Sequence, residues 1–181
     1  MTIVPRLWPR PALPRTIPTA KRLFKVGPDS RLLAYCHWQP KPARHRTIVL
    51  VHGLEGCTES HYMLGLAAKG WRAGFNVVRL NQRNCGGSEH LTTTLYNSGM
   101  SGDLKAVLEE LQVGEGLHAI WFIGYSMGGN LALKMAGEVG STKPALRGVL
   151  AVCPNIDPGA CVAALERPGN GWYQRYFLKR L

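Results

Sequence analysis

Apolar residues in this chain cluster into short runs punctuated by glycine and proline, and the runs differ in kind. Residues 21–26 and 31–38 flank Gly27-Pro28-Asp29-Ser30, a turn signal, and predict an entry hairpin. Residues 48–51 form a short β-branched strand. A helix is expected over about residues 60–71, with Tyr62, Leu64, Leu66 and Ala67 as packing residues and Gly65 weakening its interior. Residues 75–80 are strongly β-branched and predict a second strand. Ser101-Gly102-Asp103 opens a helix to about Leu111, with positions 104, 107, 108 and 111 on one face at helical spacing. Residues 118–123 read as a buried strand, residues 130–139 as a helix, and residues 148–152 as another buried strand ended by Cys153-Pro154. Strands alternating with helices at this spacing predict an α/β fold with a largely parallel sheet and right-handed crossovers behind an antiparallel N-terminal hairpin. No internal repeat is visible.

The junction between the strand at 118–123 and the following helix carries candidate chemistry. Residues 120–129 read Ile-Trp-Phe-Ile-Gly-Tyr-Ser-Met-Gly-Gly, an apolar run ending in Gly-x-Ser-x-Gly. A nucleophile elbow needs a strand that stops abruptly, a serine in a strained backbone conformation at the tip, and a helix that begins at once. Gly124 and Gly128 suit that geometry, because a Cβ at either position would collide as strand and helix fold back on each other. Ser126 is the candidate nucleophile.

A second element makes the same case from elsewhere. The run at 47–51 leads into His52-Gly53-Leu54-Glu55-Gly56, a strand followed by a glycine loop of the kind that supplies half an oxyanion hole. The expected donors are the backbone N–H groups of Leu54 and Met127. Gly53 lets the loop bring its backbone close to a bound carbonyl. His52 is expected to stabilise the loop by hydrogen bonding rather than to take a proton.

Composition narrows the class. A chain of 181 residues that is 45% hydrophobic and 18% charged is long enough for one domain with a real core. No apolar stretch is long enough to span a bilayer, and the N-terminus lacks a secretory signal pattern. Five cysteines, odd in number and without CxxC spacing, favour a reduced cytoplasmic compartment, and neither they nor the histidines have metal-site spacing, so no metal and no cofactor are expected. The net charge of +11 is unevenly spread. Residues 1–46 contribute +9, residues 47–174 contribute −1 and residues 175–181 contribute +3. The basic character thus belongs to the ends, chiefly to a proline-rich arm over residues 1–20 that is not expected to pack as helix or strand. Such an arm suits weak contact with an anionic membrane through residues 1–46, peripheral to its inner face; a solvated tail is the plainer alternative, and a nucleic-acid partner is not expected.

Between the second strand and the next helix lies Asn81-Gln82-Arg83-Asn84-Cys85-Gly86-Gly87-Ser88, followed by Leu95-Tyr96-Asn97-Ser98-Gly99. With the His-Gly loop before them, and Asp103-Leu104 and Gly-Tyr-Ser-Met-Gly-Gly-Asn after them, these motifs in this order resemble the YheT-like branch of the α/β-hydrolases. That branch includes bacterial hydrolases and eukaryotic carboxylesterases and acylglycerol lipases. The resemblance spans about residues 20–181. It implies an α/β-hydrolase domain beginning at 21–155 and the start of a cap region at 156–181, where Tyr173-Gln174-Arg175-Tyr176-Phe177 is similar to the branch. It also implies a Ser-Asp-His triad with Ser126 as nucleophile, Leu54 and Met127 as oxyanion donors, and a small-molecule substrate that is a short- to medium-chain ester or an acylglycerol.

The chain departs from that pattern in one respect. In this arrangement acid and histidine follow the serine, yet His37, His45, His52, His61, His90 and His118 all precede Ser126. Asp157 is the only Asp after Ser126 and is expected to cap or turn a loop. Cys85 lacks a placed basic partner and reads as a small packed thiol. The triad Asp and His are therefore absent from these 181 residues, the domain is expected to be incomplete at its C-terminal end, and the turnover of the chain alone is expected to be low. An inactive fragment that binds an acyl ligand or a partner is the alternative. The apolar strand at 148–152 is expected to drive self-association if it forms a bare sheet edge.

Overall fold

The computed structural model describes residues 13, 14 and 16–179. Most of the expected N-terminal arm lies outside the described residues. Its inner end is anchored, since Ile17 is buried and Pro18 O accepts a hydrogen bond from His37 Nδ1 at 3.0 Å.

Six strands form one sheet in the order β1-β2-β4-β3-β5-β6. They are β1 (Ala20–Gly27), β2 (Ser30–His37), β3 (Thr47–Val51), β4 (Asn76–Leu80), β5 (Ile120–Tyr125) and β6 (Leu146–Val152). The hairpin β1–β2 is antiparallel and joins the sheet through an antiparallel β2–β4 pair. The remaining pairs, β4–β3, β3–β5 and β5–β6, are parallel. Parallel neighbours need crossover connections, and helices supply them. These are α1 (His61–Arg72), α2 (Ser101–Gly114) and α3 (Met127–Val139), followed after β6 by α4 (Pro158–Leu165) and α5 (Gly171–Leu178).

The period-2 geometry of the central strands sorts their side chains into two cores. From β3, Val49 and Val51 join Val78, Leu80, Phe122 and the buried faces of α2 and α3. Its alternate residues, Ile48 and Leu50, face α1 with Met63, Ala67 and Val77. Helix α2 buries Leu104, Val107, Leu108 and Leu111, the four positions its spacing picks out. Helix α1 differs in detail from expectation. Met63, Ala67, Ala68 and Gly70 are its buried residues, whereas Leu64 is half-buried. Its close approach to the sheet occurs at Gly70, where a Cβ would lie 2.5 Å from Ile48 Cδ1.

One helix start differs from the sequence reading: α3 begins at Met127 rather than 130, directly after Ser126. Helix α2 opens at Ser101 as expected, and Asp103 in its first turn accepts from Arg83 Nε and Nη2 at 2.7 and 2.6 Å. Asp157 does cap, accepting from the Ala160 N–H of α4 at 2.9 Å.

Strand β6 pairs only with β5 among the described residues, and its burial is partial throughout, with Leu150 56% exposed. Such an edge templates pairing with another chain. Sedimentation velocity on the 181-residue chain is expected to show concentration-dependent self-association that Leu150→Lys shifts toward monomer; a concentration-independent monomer before substitution would contradict the role given to this edge.

Candidate active site

Strand β5 ends at Tyr125 and α3 begins at Met127, so one residue, Ser126, makes the whole connection. It sits at φ 50°, ψ −117°, outside the conformations an L-residue prefers. The surrounding backbone holds it there: Ser126 N–H donates to Val152 O at 2.9 Å, and Ser126 O accepts from the Asn130 N–H at 3.1 Å. The side chain is exposed.

So tight a reversal leaves no room beside it. A Cβ on Gly124 would lie 2.2 Å from Gly128 O, and one on Gly128 would lie 2.4 Å from His52 O and 2.6 Å from Val51 O. The first turn of α3 thus presses on its own strand and also on the C-terminal end of β3. That second contact brings the loop after β3 to the serine: a Cβ on Gly53 would stand 3.0 Å from Ser126 Cβ.

His52 opens that loop and is fully buried. Its Nδ1 is 2.8 Å from Gly53 O, and its Nε2 accepts from the Gln82 N–H at 3.0 Å. These partners assign a neutral ring with the proton on Nδ1. Burial pushes its pKa down to about 4, against a smaller opposing pull from the Gly53 carbonyl. The Gln82 side-chain amide also donates to His52 O at 2.7 Å. His52 is therefore a fixed strut, without contact to the serine hydroxyl.

The backbone of residues 53–56 closes as a turn, with the Gly56 N–H on Gly53 O at 3.0 Å. Three of its four N–H groups are occupied. Gly53 N–H donates to Tyr62 Oη at 3.3 Å, Glu55 N–H to Tyr96 Oη at 3.0 Å, and Gly56 N–H closes the turn. The Leu54 N–H has no partner among the described residues. Its peptide plane is nevertheless fixed, because Gly53 O, the carbonyl of that same peptide, accepts from both His52 Nδ1 and Gly56 N–H. In a trans peptide the N–H points opposite the carbonyl, so gripping one aims the other. At the start of α3, the Met127 N–H precedes the first intrahelical bond and belongs to the unpaired donors of a helix N-terminus.

Sequence reasoning located Ser126, Leu54, Met127, His52, Gly53, Gly124 and Gly128, and the structure gathers all seven at the C-terminal ends of β3 and β5. It did not anticipate the bracket that holds the loop. Asn81 Oδ1 accepts from the Thr58 N–H at 2.8 Å, Gln82 holds His52, and Tyr96 holds Glu55. The block at 81–88 was visible as a motif, but its job arises from a run of positive φ at Asn84, Gly86 and Gly87 that folds it back on Asn81. No imidazole or carboxylate is bonded to Ser126 Oγ among the described residues, and no group of His, Cys, Asp and Glu among them could hold a metal ion.

His52 has a consequence for stability. Its folded pKa lies below the ordinary 6.5, so the unfolded chain binds a proton that the native chain refuses. Its contribution is fully present above pH 6.5 and is lost as pH falls toward 4. At pH 5 the loss from this one group is about 2 kcal/mol. His37, also pushed down by burial, acts in the same direction. Urea midpoints are expected to fall between pH 7.5 and 5.0, and to fall less in His52→Asn; equal slopes in the two proteins would contradict a buried neutral ring.

This arrangement has close parallels among known proteins. The chain is 31% identical over 181 residues to the Escherichia coli (strain K12) protein YheT, a match covering 99% of this chain and 52% of YheT. It is 31% identical over 138 residues to phospholipase ABHD3 of Mus musculus, covering 73% of this chain and 32% of that protein. It thus spans about half the length, or less, of these curated relatives. Among solved structures, the Pyrococcus furiosus esterase Pf2001 superposes with a TM-score of 0.67 at 20% identity, covering 95% of this chain and 66% of that one. XC6422 from Xanthomonas campestris, described as an α/β serine hydrolase without a lid, superposes at 0.63 and 21% identity, covering 82% of this chain and 66% of that one. These structural likenesses concern the fold. A model of the alpha/beta hydrolase fold matches residues 46–180, from just before β3 to the end of α5, and the chain belongs to that family.

Proposed function

We propose that this chain carries the nucleophile and oxyanion donors of a serine hydrolase acting on carboxylic esters. One observation carries the reading: an exposed serine at φ 50° stands beside a loop whose single unoccupied N–H, that of Leu54, has its peptide plane locked. Phospholipase ABHD3 and the Pf2001 esterase, both named for ester cleavage, support the same class. In the proposed reaction Ser126 Oγ attacks the ester carbonyl and its proton passes to a base. The carbonyl oxygen becomes an alkoxide held by the Leu54 and Met127 N–H groups, where one such donor is worth about 3 to 4 kcal/mol. Collapse expels the alcohol, which takes up a proton and leaves an acyl ester on Ser126. Water then attacks that ester, releasing the acid and restoring the hydroxyl. We place the expected cap region at α4 and α5, and short- to medium-chain esters or acylglycerols are the proposed substrates.

Ser126 has no base among the described residues, and this favours a second reading in which the chain alone holds an acyl ligand and turns it over slowly. In a serine protease, loss of the histidine costs about 10⁶ in turnover, and an oxyanion hole leaves about 10³ over water. Both readings place the reactive hydroxyl at Ser126. An alkyl fluorophosphonate is expected to label that residue, as located by peptide mass spectrometry, at a rate rising about tenfold per pH unit from 7 to 9 because hydroxide does the work of an imidazole. Ser126→Ala is expected to abolish the label. Labelling that persists in the variant would refute the assignment of the nucleophile.

A further inference from the structure

We propose that Tyr96 is a positioning residue for the Leu54 N–H, acting through the Glu55 amide that its hydroxyl holds; the inference rests on reading Ser126 as nucleophile and Leu54 as oxyanion donor. The turn at 53–56 has Glu55 in its third position with φ 57°. Turns with positive φ there normally take Gly or Asn. A Cβ in that region crowds the following carbonyl, so glutamate stays only while contacts outside the turn hold it.

The Tyr96 hydroxyl, 3.0 Å from the Glu55 nitrogen and far along the chain, supplies such a hold on the amide. If Glu55 relaxes to an ordinary φ, the Gly56 N–H leaves Gly53 O. That carbonyl shares a rigid plane with the Leu54 N–H, so the donor turns with it. Tyr62 fixes the preceding plane through the Gly53 N–H, and the donor plane is thereby clamped from both sides.

Cys85 lies near Tyr96, and burial pushes the Cys85 pKa up to about 12, so the thiol stays neutral. Burial raises the Tyr96 pKa as well, keeping it a phenol with a lone pair for Glu55. Tyr96, in the motif at 95–99, takes no part in bond making and thereby acquires a purpose: its hydroxyl sets the angle of one amide.

The test compares labelling of Ser126 by a fluorophosphonate and by its matched P=S analogue in the unmodified chain and in Tyr96→Phe. Sulfur accepts hydrogen bonds poorly, so the preference for P=O over P=S reports the oxyanion donors. Tyr96→Phe is expected to slow the P=O probe about tenfold or more, to slow the P=S probe much less, and to leave the label on Ser126. Equal slowing of both probes, or of neither, overturns the proposal while leaving Ser126 as nucleophile. Absence of label at Ser126 in the unmodified chain overturns the nucleophile assignment and this inference with it. Should Tyr96→Phe fail to fold, amide exchange in the unmodified chain decides: Glu55 is expected to exchange at least about tenfold more slowly than Leu54, and equal rates refute the hold.

Discussion

The architecture of this site hangs on a contact that involves no side chain: the helix following Ser126 lies so close to the end of β3 that the His52 carbonyl oxygen occupies the space of a Cβ at position 128. Backbone approach of this kind is available only to glycine. It joins two strands that are neighbours in the sheet but distant in sequence, and it puts a loop from one beside a serine from the other. Everything chemical in the molecule depends on that distance. The six strands and the two cores hold β3 and β5 in register so that their C-terminal ends open at the same level.

Around this contact the protein solves a problem of hydrogen-bond accounting. A loop buried at its base must satisfy its polar groups. An oxyanion site, by contrast, must keep one donor unused. In the proposed reading both demands are met: the hydroxyls of Tyr62 and Tyr96 fill the neighbours of Leu54, and Gln82 donates to both the ring and the carbonyl of His52. A histidine so near the proposed nucleophile invites a proton-transfer role, yet burial and two committed nitrogens make this one a neutral spacer.

How far the sequence speaks follows from the range of each interaction. The strands and the Leu104, Val107, Leu108, Leu111 face of α2 were legible because apolar periodicity is local. Ser126 and its glycines were legible because a single-residue reversal leaves few choices of residue. Helix α1 was legible in part: Tyr62, Leu66 and Ala67 pack as its spacing suggests, but the buried Met63 and the close approach to the sheet at Gly70 were not visible, because they depend on which neighbour the helix meets. The start of α2 at Ser101 was legible, but the pairing of Asp103 with Arg83 was not, because that partner sits on another loop. The hydroxyls of Tyr62 and Tyr96 were invisible as such, because an aromatic residue reads as packing until its tip is seen to meet an amide.

The separation of β3 from β5 along the chain also bears on how the molecule comes into being. Thr47 pairs with Ile120 only after two helices and a strand have intervened, and contacts of such sequence separation are costly to close and slow to form. Neither the serine turn nor the loop after β3 can assemble its geometry alone. Their encounter waits on the central sheet, so the geometry proposed for Ser126 is a property of the closed framework and of neither segment by itself.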